Sequence, residues 1–107
     1  MALSSVSTRT ITVGTTPIRV AEELEPSQRK FIAIVNTSTG GQIINVSLQN
    51  EASTTVGVPL GTNGNIVDSA SGDEPDAYFP SEFQYTAVSS AVGGQLTIIE
   101  RIGTKVR

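Results

Sequence analysis

Apolar and polar residues alternate in four segments of the chain, the pattern of strands with one face on a core and one in solvent. These segments are Thr8–Val13, Lys30–Val35, Ile44–Gln49 and Gln95–Glu100. Weaker patterns between turn residues mark four more: Pro17–Ala21, Thr54–Val58, Asn65–Asp68 and Phe83–Ser89. The chain is therefore predicted to form about eight short strands.

Glycine turns and β-branched residues favour an all-β fold. Valine and isoleucine together outnumber leucine by 21 to 5, a bias that suits pleated strands. Gly40 and Gly41 separate two strong segments and predict a hairpin that pairs residues 31–36 with residues 43–49. Strands this short and frequent are typical of one small β-sandwich or jelly-roll-like barrel, which we expect to span residues 1–107 as a single domain.

Three other segments are predicted from local composition. Residues 1–16 form an extended N-terminal arm, which we expect to pair or pack against another subunit by strand addition. Residues 69–81 are polar and acidic and predict an exposed loop. Residues 21–25 suit about one helical turn, which Pro26 would end.

The absence of three residue types excludes several kinds of catalytic and metal site. The chain has no histidine, cysteine or tryptophan, so it lacks the commonest general base, thiolate nucleophiles and cysteine or histidine metal sites. Glu82 and Glu100 are the remaining candidates for a catalytic carboxylate pair, but strand alternation equally makes Glu100 an outward edge charge or an ion-pair partner. We expect no enzyme activity and no cofactor.

Charge is distributed unevenly along the chain. Residues 31–100 contain seven acidic residues and no lysine or arginine, whereas residues 1–30 and 101–107 carry net charges of +1 and +3. An acidic body repels a phosphate backbone, so nucleic acid is not expected as a partner. The basic ends suit acidic protein surfaces, although they also suit simple solvation. The candidate assembly contacts are Arg9, Ile11, Val13, Arg19, Arg101 and Arg107.

The loop and the residues after it leave two binding hypotheses open. Asp68, Asp73, Glu74 and Asp76 are hard oxygen ligands, yet their spacing is not that of an EF-hand, and no metal site is assigned. Tyr78, Phe79 and Tyr85 could stack a sugar. Alternatively, they could anchor the last hairpin against the sandwich or fill a subunit interface, where aromatic residues are enriched, and we favour this alternative.

No membrane segment is expected, because the longest apolar run covers only residues 31–35 and a spanning helix needs about 18 apolar residues. The first seven residues also lack the basic and apolar regions of a secretion signal. Use without secretion is therefore the expectation.

The two regions that carry the clearest strands resemble small β-sandwich proteins of bacteriophage virions. Residues 29–38 followed by residues 43–47 look like the opening hairpin of such modules, and residues 83–88 with residues 93–100 look like the closing hairpin. The resemblance implies a structural virion protein that binds at capsid subunit junctions and stabilises the shell, as decoration, cement or minor capsid protein. It implies capsid subunits and copies of the same chain as partners, with a homotrimer favoured, and synthesis in a host cytoplasm. The alternative is a carbohydrate-binding or adhesin-like recognition module.

Overall fold

Strands alone make up the regular structure in the computed structural model, which describes residues 2–22, 29–48, 50–53, 55–70 and 84–105. No helix occurs in these ranges. The eight strands are β1 (Ala2–Val13), β2 (Ile18–Ala21), β3 (Arg29–Asn36), β4 (Ile44–Leu48), β5 (Val58–Leu60), β6 (Asn65–Ser69), β7 (Tyr85–Ser89) and β8 (Gly94–Lys105).

Two four-stranded antiparallel sheets form a sandwich. Sheet A has the strand order β1-β8-β3-β6, and sheet B has the order β2-β7-β4-β5. The prediction of a small all-β sandwich is confirmed. Most strands lie within a few residues of their predicted positions, although β5 begins at Val58, where the predicted segment ended.

The core lies between the sheets and follows strand alternation. On β8, Leu96 and Ile98 are fully buried, while the alternate residues Thr97 and Ile99 are only partly buried. Burial of such aliphatic side chains stabilises the sandwich by about 1.5–3 kcal/mol each. The core cluster consists of Val13, Val20, Ala21, Ile32, Ile34, Ile44, Val46, Leu60, Tyr85, Ala87, Leu96 and Ile98.

The predicted hairpin across Gly40 and Gly41 is wrong. β3 lies in sheet A and β4 lies in sheet B, so residues 37–43 cross from one sheet to the other. Both edges of β3 are already paired, with β8 and β6, which leaves no edge for β4. The last two strands repeat this arrangement, because β7 belongs to sheet B and β8 to sheet A.

β1 is longer than predicted and pairs within the chain. All twelve of its residues pair with β8, from Ala2 opposite Lys105 to Val13 opposite Gly94. One edge of the predicted arm is therefore occupied by β8 of the same chain. β3 reaches along β8 only to Ile102, so the outer ends of β1 and β8 form a two-stranded ribbon beyond the sandwich. The molecule measures 46 Å along its longest axis.

The outer face of sheet B is covered by the chain between β4 and β5. Thr86 on β7 accepts a hydrogen bond from Ala52 N (3.0 Å) and donates one to Asn50 O (2.9 Å). Gly57 approaches so closely that an added Cβ would lie 2.8 Å from Val46 O, and its φ of +119° also favours glycine. Ala52 is consequently 1% exposed, and the outward residues of the two central strands of sheet B are buried: Asn45, Ser47, Thr86 and Val88.

Two predicted segments lie mostly outside the described residues. The helical turn was placed at residues 21–25, where Ala21 instead ends β2 and residues 23–28 are not described. Of the acidic loop at residues 69–81, Ser69 ends β6 and Ala70 donates a backbone hydrogen bond to Lys30 O (2.7 Å). Residues 71–83 are outside the described ranges.

Asn36 should be a large contributor to stability. Its amide nitrogen donates to Gln42 O and Leu60 O (both 2.8 Å), and its side-chain oxygen accepts from Ser38 N (3.0 Å). Replacing it with alanine removes these bonds from a fully buried position, and we expect Asn36→Ala to lower the free energy of unfolding by about 3 kcal/mol. Urea denaturation measures this loss.

The matched control is Asn65→Ala on β6. Asn65 is exposed, and its side chain makes one long bond of 3.4 Å to Asn63 O. A change within about 0.5 kcal/mol is expected there. Equal losses in the two variants would contradict the role given to Asn36.

Candidate functional site

Among the described residues, Arg9 and Arg29 both bind the carboxylate of Glu100. This residue is 4% exposed, on the core face of β8. Arg29 Nε donates to Glu100 Oε2 at 2.7 Å, and Arg9 Nη1 donates to Glu100 Oε1 at 3.2 Å. We call Arg9, Arg29, Glu100 and Tyr85 the charge cluster. It joins β1, β3 and β8 of sheet A to Tyr85 of sheet B.

Both guanidinium groups also bind backbone carbonyls beside sheet B. Arg9 Nη2 donates to Val20 O at 2.7 Å, and Arg29 Nη2 donates to Glu22 O at 2.5 Å. Charged groups removed from water need such additional partners, because desolvation of an isolated ion is costly. No buried side-chain nitrogen or oxygen in the described ranges lacks a hydrogen-bond partner. The cluster therefore acts as a polar cross-link between the sheets.

Arg29 was missed by the alternation pattern because of a bulge. The inward positions Asn36, Ile34 and Ile32 have even numbers, and strict alternation would next bury Lys30. The register between β3 and β8 shifts between Arg29 and Phe31, and such a bulge changes which side chains face the core. Arg29 is 1% exposed as a result. The sequence gives only a weak signal that Arg29 and not Lys30 faces the core: two adjacent cations at the start of a strand.

Tyr85 lies inside the sandwich and not on its surface. It is 6% exposed, and Arg29 Cζ lies 5.3 Å from the centre of its ring, within range of a cation–π contact. Burial raises the pKa of its hydroxyl, as do the Asp68 and Glu100 carboxylates, while the Arg29 guanidinium lowers it. Tyr85 thus belongs to the core, away from any exposed sugar platform. Tyr78 and Phe79 lie outside the described residues.

The predicted assembly contacts have different locations. Arg9, Ile11 and Arg19 line one shallow hollow between β1 and β2, where Arg19 forms an exposed ion pair with Glu22 at 3.3 Å. Val13 is fully buried in the core, so it has no surface to offer a partner. Arg101 is exposed on sheet A, in a different hollow. Arg107 is outside the described ranges.

The residues weighed as a carboxylate pair and as metal ligands are not brought together within the described ranges. Glu100 is the ion-pair partner that the sequence allowed and not the exposed edge charge, while Glu82 is not described. Asp68 is half-buried on β6, and no group of three or more acidic residues among the described ones could hold a metal ion. Asp73, Glu74 and Asp76 lie outside those ranges. No helix in the described part of the chain could cross a membrane.

The outer face of sheet A is rich in apolar side chains. Since Leu96, Ile98 and Glu100 face the core, the intervening residues of β8 and their partners in register face outward. We call this set the outer A face; its apolar members are Val6, Phe31, Ala33, Val35, Val67 and Ile99. Val6 is 67% exposed and Val67 is 58% exposed.

A shallow hollow lies at the ribbon side of the outer A face. Val6, Phe31 and Ile99 form its apolar lining, and Lys30, Ser69, Ala70 and Arg101 complete it. The stem of Lys30 packs over Gly103, where an added Cβ would lie 2.8 Å from Lys30 Cε. The hollow thus combines apolar surface with cationic side chains.

A comparison with solved structures supports the fold. The chain is similar to a structure of Bacillus endospore appendages, described as a novel family of disulfide-linked pili, with a TM-score of 0.54 and 13% identity. The match covers 99% of this chain and 89% of that chain. No family model and no curated protein matches the sequence. At this identity the likeness shows a shared fold.

Removing the charge of Glu100 should destabilise the protein strongly. Glu100→Gln leaves the fully buried Arg29 guanidinium without its carboxylate, and the expected loss is about 3–5 kcal/mol in the free energy of unfolding. Chemical denaturation measures it. Glu22→Gln is the control, because the Glu22 side chain is 74% exposed and its pair with Arg19 is worth at most about 0.5 kcal/mol. Similar losses in both variants would argue against the cluster as a cross-link.

Tyr85 should make stability fall at alkaline pH. Its pKa is raised above 10.0 in the folded chain, so the folded state retains a proton that the unfolded state loses. This stabilisation is complete below pH 10, the ordinary tyrosine pKa, and is lost as the pH rises through the folded-state value. We expect Tyr85→Phe to flatten the alkaline decline in urea midpoint, whereas Tyr78→Phe, which leaves Tyr85 in place, retains that decline. If the urea midpoint of Tyr85→Phe falls with rising pH as steeply as that of the natural chain, the role given to Tyr85 is contradicted.

Proposed function

We propose that this protein is a non-enzymatic structural subunit that acts by association with copies of itself and with other subunits of a protein shell. The outer A face carries this proposal. Exposed apolar side chains beside partly buried ones mark a candidate interaction site: Val6 and Val67 are 67% and 58% exposed on this face, and Phe31, Val35 and Ile99 are partly buried. On sheet B, by contrast, residues 50–53 and 55–57 cover the outer face of β4 and β7. Among the described residues, sheet A therefore exposes more apolar side chain on its outer face than these two strands of sheet B do.

The charge on the outer A face favours one kind of partner surface. Arg101 lies on the outer A face, whereas residues 31–100 carry seven acidic residues and no cation. A cation beside an apolar hollow favours an acidic neighbouring surface, because complementary charges orient encounter and fix register.

The likeness to an appendage protein supports an assembling role for the fold. That protein is described as forming disulfide-linked pili. This chain has no cysteine, so any assembly that it forms must rely on strand pairing, apolar contact and ion pairs. Noncovalent contacts repeated by symmetry can still produce a stable particle.

The finer proposal is a virion component at capsid subunit junctions, made in a host cytoplasm. Its support is the sequence resemblance to phage β-sandwich modules, together with a small sandwich that exposes Val6 and Val67 on the outer A face. Genes for a major capsid protein and a portal beside this coding sequence would support it. A neighbourhood of spore or appendage genes would favour a different assembly and exclude the shell.

The test of association is a concentration series followed by sedimentation and negative-stain microscopy. We expect species well above the monomer mass of 11.2 kDa. Arg101→Glu should weaken association roughly tenfold, the scale of one lost ion pair across an interface. Higher salt should reduce the effect.

Arg101→Lys is the matched variant. It keeps the positive charge on the same exposed position, so association should remain close to that of the natural chain. A protein that stays a monomer at every concentration, or an Arg101→Glu variant that assembles normally, would contradict the proposed role of this face.

A further inference from the structure

The four edges of the two sheets differ in how well they are protected against pairing. β5 has three residues and contains Pro59, and β2 has four residues and a register shift between Arg19 and Ala21. β6 has five residues. Short strands, prolines and bulges all hinder the addition of a further strand.

β1 has none of these protections. It runs for twelve residues without proline or lysine, and its register with β8 contains no shift. Its only charge, Arg9, is bound to Glu100 and to the carbonyl of Val20. In the described ranges, β8 is its only strand partner. A long, regular and nearly neutral edge of this kind is a template for another strand.

We infer that the open edge of β1 pairs antiparallel with the same edge of a second copy of this chain, related by a two-fold axis. The inference rests on the proposed self-association and adds to the outer A face a second contact, at the edge of sheet A. A second β1 is the occupant that matches this edge in length, since the other sheet edges have at most five residues. The pair would convert two four-stranded sheets A into one sheet of eight strands.

Strand geometry limits the register of this pair. In an antiparallel pair, residues directly opposite each other have their side chains on the same face of the sheet. At the two-fold axis a residue of β1 must therefore lie opposite the same residue of the second copy, so the axis cannot fall between two residues. An axis at Arg9 would place two guanidinium groups opposite each other. An axis at Ser7 or Thr8 avoids this contact and places Val6 opposite Thr8 or Thr10 of the second copy.

The same register accounts for an unusual surface residue. Val6 is 67% exposed on the edge strand, and in the pair it gains a cross-strand neighbour from the second copy. Both outer A faces then lie on one side of the joined sheet, because the axis is perpendicular to it. A two-fold pair replaces the trimer expected from the sequence.

Sedimentation of edge variants tests the interface. Val6→Lys places a charge on the β1 edge and should raise the dimer dissociation constant about tenfold or more, since each substitution acts twice in a two-fold pair. Val67→Lys is the matched control, because it makes the same change at an exposed valine on β6, the opposite edge of sheet A. It should leave the dimer intact, and both variants should keep the melting temperature of the natural chain.

Cysteine cross-linking locates the axis. The chain has no cysteine, so Ser7→Cys and Thr8→Cys each introduce a single thiol. Facing residues of an antiparallel pair have Cα atoms about 4.5–5.5 Å apart, within disulfide range. We expect one of these variants to form a covalent dimer under mild oxidation, and Val67→Cys to form none.

The outcomes separate the interface from the wider proposal. Dimers that Val6→Lys weakens, with a cross-link at residue 7 or 8, support it. Larger assemblies or trimers that Val6→Lys leaves intact would overturn the two-fold edge while leaving self-association in place. A monomer at every concentration would overturn both.

Discussion

The carboxylate of Glu100 is the group on which the joining of the two sheets depends at the ribbon end of the sandwich. It receives Arg9 from β1 and Arg29 from β3, and both guanidinium groups continue to carbonyls beside sheet B. A buried charge without a partner destabilises the fold, so few other positions of these three side chains are compatible with it. A slip of β1 by one residue would turn Arg9 to the other face. The cluster therefore fixes strand register as well as sheet contact.

Fold class was predictable because it needs only local periodicity. Alternation within a segment identifies a strand, but it says nothing about which strand lies beside it. The predicted hairpin failed for this reason, since β3 is already paired on both edges by strands distant in sequence. Alternation marked only residues 8–13 of β1, because Ser4, Ser5 and Ser7 interrupt its apolar pattern. The extended arm predicted at residues 1–16 includes the whole strand, but not its pairing with β8.

The candidate site was predictable only in part. Glu100 continues the inward series of Leu96 and Ile98, and its ion-pair role was available from the sequence. Arg29 was not, because the bulge that turns it inward depends on the pairing of β3 with β8. Tyr85 shows the same limit: the sequence left a ligand platform, a subunit interface and an anchor against the sandwich open, and the register of β7 places the side chain in the core. The outer A face appears only when four strands are aligned.

The pairing of Ala2 with Lys105 has a mechanical consequence. Tension applied between these two residues would separate the strands of the ribbon from one end. The hydrogen bonds of an antiparallel pair lie across the strands, so they would break one after another. Tension along β1 alone would instead shear many bonds at once. A fibre or shell containing this domain would therefore resist stretching far better along its strands than by pulling its two chain ends apart.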